Sequence, residues 1–143
     1  MDLTLDGLTH YAHEFVAALP QAAGDQAYVL GLRGDLGAGK TTFVQAVAHE
    51  LGVKESVTSP TYVIVQSYAT THPIFKKLVH IDAYRLTRGE PDTIGLAAYV
   101  ADPSSLVLIE WSENVSYMID FSIPVISFET IDENTRRVLL DGK

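Results

Sequence analysis

Leu8, Tyr11, Ala12, Phe15, Val16 and Leu19 recur at steps of three and four residues, so residues 8–19 read as an amphipathic helix covering one face of a sheet. Thr9 or Asp6 is its expected N-cap, and Pro20 stands near its end. Residues 28–32 form a short apolar run, the pattern of a buried strand, and residues 42–51 return to helical spacing before Gly52, a C-cap residue. A β-branched run at 62–68 predicts a strand, 69–76 a turn and 77–82 a second strand, together a hairpin. Pro91 and Asp92 open a short helix over 94–100, and Asp102-Pro103 breaks it before residues 106–109, the most buried strand by composition. Residues 119–131 and 137–140 pattern as a closing antiparallel pair around Asp132-Glu133-Asn134. The whole predicts a three-layer α/β fold with a mixed parallel and antiparallel central sheet, and one domain over residues 1–143.

Between the strand at 28–32 and the helix at 42–51 lies Gly34-Asp35-Leu36-Gly37-Ala38-Gly39-Lys40-Thr41, a complete G-x-x-x-x-G-K-[ST] phosphate-binding loop. Its glycines let main-chain N–H groups curl around phosphate oxygens, and the following helix turns its positive end toward the same anion. Lys40 supplies a mobile cation for the β and γ phosphates, and Thr41 a hydroxyl for magnesium. All fixed positions and both flanks agree, which outweighs a glycine-rich turn that happens to carry Lys-Thr. The loop specifies a held nucleotide; it does not specify the reaction, because many functions share it.

Composition narrows the class further. The chain has 143 residues, 47% of them hydrophobic, enough for a sizeable core. It carries no run of the roughly 18 apolar residues a spanning helix needs and no N-terminal leader pattern, so a cytoplasmic protein without membrane contact is expected. The absence of cysteine removes disulfides, thiolate metal sites and thiol catalysis. A net charge of −8 argues against a chain that grips nucleic acid unaided, so any RNA would be carried by a partner.

A phosphate loop needs carboxylates to hold magnesium and orient water, and ligands of open α/β sheets sit at the carboxyl ends of strands. Asp82 and Glu110 each close an apolar strand, which makes them the candidate pair; the competing reading is two ordinary strand-end acids facing solvent. Ser59-Pro60-Thr61-Tyr62 occupies the place where a γ-phosphate sensor would sit, although Ser-Pro also starts turns and strands routinely. Trp111 follows Glu110 directly, as core packing or as part of the nucleotide pocket.

Taken in order, the loop with Thr42-Phe43, then Ser59-Pro60-Thr61-Tyr62, then His80-Ile81-Asp82-Ala83-Tyr84-Arg85-Leu86, then Ile109-Glu110-Trp111, closely resembles the TsaE (YjeE) family, small ATPases needed to make threonylcarbamoyladenosine in tRNA. The resemblance implies a P-loop NTPase fold with ATP and Mg2+ as cofactors. It implies that Asp35, Gly37, Ala38, Gly39 and Lys40 bind the nucleotide's phosphates and that Thr41 and Glu110 hold magnesium. Lys40, Thr42, Asp82 and Trp111 would serve catalysis, with Thr42 and Asp82 also touching the nucleotide. Ser59, Pro60 and Thr61 would form one switch and the segment from Asp82 to Arg85 another. Thr9 and Arg137 fall where the family touches the nucleotide, with helix capping and a solvated charge as equal alternatives. The implied partners are TsaD, which transfers the threonylcarbamoyl group, and TsaB, with tRNA engaged only indirectly. Two positions depart from the pattern: Ser112 stands where Pro is usual, and Ala83 where Leu is common.

The leading reading is a slow, partner-stimulated ATPase. A small-molecule P-loop kinase is the enzymatic rival, for which residues 85–105 barely suffice as lid and acceptor pocket; a binding module that never turns over its nucleotide is the third. A GTPase is disfavoured because no Asn-Lys-x-Asp string occurs.

Overall fold

A computed structural model describes residues 1–35, 37–55, 57, 65–84, 95–115 and 123–141. In chain order the elements are β1 (Asp2–Thr4), α1 (Leu5–Ala17), β2 (Tyr28–Arg33), α2 (Lys40–Glu50), β3 (Val65–Ala69), β4 (Lys77–Asp82), α3 (Leu96–Val100), β5 (Ser105–Glu110), a single 3₁₀ turn at Ser112–Asn114, β6 (Val125–Asp132) and β7 (Thr135–Asp141). The strands form one seven-stranded sheet in the order β1-β7-β6-β2-β5-β4-β3. Its centre, β6-β2-β5-β4, is parallel, and each side ends in antiparallel pairing: β3 on β4, and β7 on β6 with β1 beyond it.

Alternation along the central strands sorts the core into two layers. Leu30, Leu32, Leu78, Leu106 and Leu108 face α1 and α2, where they meet Leu8, Ala12, Phe43, Val44 and Val47. Val29, Val79, Ile81, Val107 and Ile109 face the other way, against Leu96 and Val100 of α3. Because both faces are covered, every residue of β5 is buried, which is why that strand reads as an unbroken apolar run rather than an alternating one. Phe43 of α2 anchors the first layer: it is fully buried and its ring lies 5.7–6.0 Å from those of Tyr11, Phe15 and Phe128.

The boundaries correct several expectations. Helix α1 starts three residues earlier than its apolar periodicity, at Leu5, and its N-cap is Thr4 rather than Thr9 or Asp6: the Thr4 hydroxyl accepts the Gly7 N–H at 3.0 Å. Leu5 stands one helical step before Leu8 but is exposed, so the first turn adds nothing to the buried face. Strand β1 was not foreseen, being only three residues long and legible only through its pairing with β7. Gly52 does terminate α2: at φ +77° its N–H bonds the His49 carbonyl at 3.1 Å, and the next N–H, of Val53, bonds Ala48 at 3.0 Å, a Schellman arrangement. The hairpin expected over 62–82 is present from Val65, and the closing pair from Val125; residues 62–64, 91–94 and 119–122 of the expected elements lie outside the described residues.

Candidate phosphate and metal site

Strand β2 delivers the chain into the loop, and α2 begins at Lys40 with Gly39 as its N-cap. Gly34 is required here by contact as well as conformation: at φ +145°, a Cβ on it would stand 2.5 Å from the Phe128 carbonyl oxygen of β6. The loop is closed by the Ala38 N–H bonding the Asp35 carbonyl at 3.0 Å, while Phe43 N–H bonds Gly39 at 2.9 Å as the first helical turn. Gly37, Gly39, Lys40, Thr41 and Thr42 line a cavity of about 190 Å³ that Asp82, Glu110 and Trp111 complete. Whole-ligand sites run to roughly 300–1,000 Å³, so this hollow is smaller than a site that encloses an entire drug-sized ligand.

The two strand-end acids arrive together because β4 and β5 are parallel and in register, pairing Asp82 with Glu110. Glu110 is almost completely buried and accepts the Thr41 hydroxyl hydrogen at 3.1 and 3.2 Å from its two oxygens. Its Oε2 also lies 2.5 Å from Nε2 of His80, a fully buried histidine two residues before Asp82 on β4. Asp82 is half-buried, and desolvation raises its pKa above the ordinary carboxylate value; Glu110 adds to the rise, while the Tyr84 N–H, which Oδ1 accepts at 3.0 Å, and the charges of His80 and Lys40 oppose it.

Lys40 folds back over the loop, donating to the carbonyls of Gly34 and, at 3.3 Å, Asp35, with its Nζ 4.1 Å from the centre of the Trp111 ring. Burial lowers its pKa, an effect opposed by Glu110, Asp82, Glu113 and Asp35. Trp111 has the one positive φ among described non-glycine residues, 58° with ψ 44°, a conformation costing of order 1–3 kcal/mol for such a side chain. Its N–H is held by the Leu32 carbonyl at 2.9 Å, and its ring packs against Tyr84 with centroids 4.9 Å apart. The strained turn thus sets the indole between the lysine and the edge of the second core layer, against which it also packs.

Of the residues singled out by sequence, Gly37, Gly39, Lys40, Thr41, Thr42, Asp82, Glu110 and Trp111 meet in one cavity. Ala38 is buried within the loop, and Asp35 stands on its outer side. Thr9 lies exposed on α1, inside the helix, and does not line the cavity. Arg137 pairs with Asp2 at 2.9 Å and lines a different hollow with Gly34 and Asp35. Its neighbour Arg136, which the sequence reading passed over, reaches the phosphate loop, with Nη2 3.4 Å from the Gly37 carbonyl. Period-two alternation puts the adjacent arginines on opposite faces of β7, so only one of them can approach Gly37, but it does not say which one. His80 was also given no role, although a histidine inside an apolar strand two residues before an acid was a signal. Ser59, Pro60, Thr61 and Arg85 lie outside the described residues.

The residues present suit magnesium. No group of three or more His, Cys, Asp or Glu clusters for a metal among the described residues, so an ion here would take Thr41 and Glu110 plus oxygens from phosphate and water, the usual habit of Mg2+.

Residues 7–138 match the family model described as "Threonylcarbamoyl adenosine biosynthesis protein TsaE". The chain belongs to the TsaE family. Relatives named as tRNA threonylcarbamoyladenosine biosynthesis protein TsaE include that of Aquifex aeolicus, 39% identical over 80% of this chain and 77% of that protein. The Streptomyces coelicolor protein is 43% identical over 64% of this chain. The match spans about three-fifths of that relative's length, 59%, and 60% of the Rickettsia felis one. The crystal structure of Bacillus subtilis YdiB superposes with a TM-score of 0.69 over 96% of this chain and 82% of its own, at 23% identity. That likeness shows a shared fold, here an α/β arrangement around a mixed parallel and antiparallel sheet.

Proposed function

We propose that this chain binds ATP with Mg2+ and hydrolyses it to ADP and phosphate in the service of threonylcarbamoyladenosine formation in tRNA, acting in the cytoplasm on a complex of TsaD and TsaB. The observation that carries the reading is the contact of the Thr41 hydroxyl with the Glu110 carboxylate at the mouth of the glycine loop, beneath Lys40. Bound magnesium would supply Lewis-acid neutralisation of phosphate charge. Thr41 and Glu110 are the residues that would hold it, the Thr41 hydroxyl through an oxygen lone pair.

Lys40 can leave the Gly34 and Asp35 carbonyls, which serve it only as internal partners, and place its charge on phosphate oxygens. Asp82 stands across the cavity with a carboxyl that burial inclines toward holding a proton, a position suited to orienting water for attack on the terminal phosphorus. Water adds to that phosphorus as the bond to the ADP oxygen breaks, and the proton leaves with phosphate or through Asp82. Trp111 screens one side of the cavity from solvent. Lys40 is the sole cationic side chain among the described residues lining the cavity, so hydrolysis in isolation is slow and a partner supplies further charge. The net charge of −8 suits a subunit that acts on a protein complex and leaves tRNA to it.

Phosphate release measured alone and with TsaB and TsaD tests this. Lys40→Ala is expected to bind weakly and Asp82→Ala to bind normally, with neither supporting tRNA modification. Wild-type modification by Asp82→Ala refutes its assigned part.

A further inference from the structure

We infer that His80 is a positioning residue for the metal-holding carboxylate: it is the partner that fixes Oε2 of Glu110 when Thr41 engages an ion. The inference rests on the Mg2+-nucleotide reading above and adds to it a residue that acts through Glu110.

In a parallel pair, residues in register share a face of the sheet. His80 is paired with Leu108 and Asp82 with Glu110, so His80 looks diagonally up to Glu110 from the layer packed against α2. It is surrounded there by the leucines at 78, 106 and 108 and is completely buried. An apolar side chain would fill such a place at less cost, since a buried imidazole must recover its desolvation through hydrogen bonds. Among the described residues its side chain bonds only Glu110, at 2.5 Å, and Nδ1 has no partner. A carboxylate only accepts, so the hydrogen sits on Nε2 and His80 donates.

Glu110 has two kinds of partner here. Thr41 bonds both of its oxygens, and His80 bonds Oε2 alone. A hydroxyl ligates an ion through an oxygen lone pair and keeps its single hydrogen, so a Thr41 turned to an ion can serve at most one of the two oxygens it now faces. His80, immobile in the strand, stays. Oε2 is thereby anchored from below and Oε1 left to the cavity, the arrangement by which outer partners typically contribute 10–100-fold in metal affinity.

The geometry of the imidazole sets the test. Glutamine places its amide nitrogen where Nε2 stands, asparagine places its own nearer Nδ1, and leucine places none. The ratio of ATP affinity with and without Mg2+, measured by calorimetry, and Mn2+ binding followed by electron paramagnetic resonance are compared for wild type, His80→Gln, His80→Asn and His80→Leu, with folding checked by circular dichroism. The Mg2+-dependent gain is expected to fall about 10–100-fold in His80→Leu and His80→Asn and to return to within about threefold in His80→Gln, while affinity without metal stays level. If His80→Leu does not fold, Gln against Asn decides. A metal-dependent gain unchanged in every variant, or equally lost in Gln and Asn, overturns the inference while leaving the nucleotide reading intact. A wild-type protein whose ATP binding ignores Mg2+ overturns both.

Discussion

Glu110→Gln separates what the buried acid does for the fold from what it does for a ligand. Glu110 sits almost wholly out of water at the end of β5 and accepts from Thr41 and His80. Hydrogen bonds to a charged group contribute about 1.5–3 kcal/mol each and neutral ones about 0.5–1.5, so neutralising the acceptor forfeits roughly 2–3 kcal/mol over the two partners. Against this, a buried ion carries a desolvation penalty of several kcal/mol, which the amide avoids. The amide oxygen can still accept from His80 or Thr41. Stability is therefore expected to change by less than about 1–2 kcal/mol, in either direction, in urea unfolding at pH 7. Mg2+-dependent nucleotide affinity, by contrast, is expected to be lost almost entirely. A destabilisation above about 3 kcal/mol refutes the balance drawn between solvation and hydrogen bonding, and retained metal dependence refutes the assignment of Glu110 as a ligand.

Three other outcomes follow from the same coordinates. Gly52→Ala should destabilise by about 1–3 kcal/mol in chemical denaturation, because position 52 sits at φ +77° and a Cβ would meet the Thr71 hydroxyl at 2.2 Å. Asp82 has its pKa raised by burial, so ionising it opposes folding: the penalty is absent below the unfolded value near 3.8, sets in as pH rises through it and is complete above the raised folded value. Asp82→Asn should accordingly gain stability relative to wild type between acid pH and pH 7, and a difference that shrinks with rising pH contradicts the cause given. The chain has one tryptophan, with Lys40 4.1 Å from its ring, so Mg2+-ATP that draws the lysine away should change intrinsic fluorescence in wild type and leave Lys40→Ala unchanged.

Much of this was legible in the chain before folding, wherever a residue type is dictated by local geometry. The loop announces itself because its glycines sit at positive φ, with Lys40 and Thr41 at fixed places after them, and β5 because burial on both faces makes residues 106–109 an unbroken apolar run. Asp82 and Glu110 could be picked as a pair because strand-end acids gather at one edge of a parallel sheet. What escaped was set by tertiary registry. Strand β1 exists through its partner β7, the start of α1 is exposed, and which of Arg136 and Arg137 approaches Gly37 depends on the face of β7 each occupies. His80 needed the diagonal between two strands, which no linear spacing encodes.

Calorimetric titration of ATP into the wild-type chain, with and without Mg2+, bears most directly on the central claim that the glycine loop, Thr41 and Glu110 together hold a metal-bound triphosphate. Saturable one-to-one binding that tightens with Mg2+ and vanishes in Lys40→Ala is the expected result. No heat of binding with the metal present, or binding indifferent to Lys40, contradicts it.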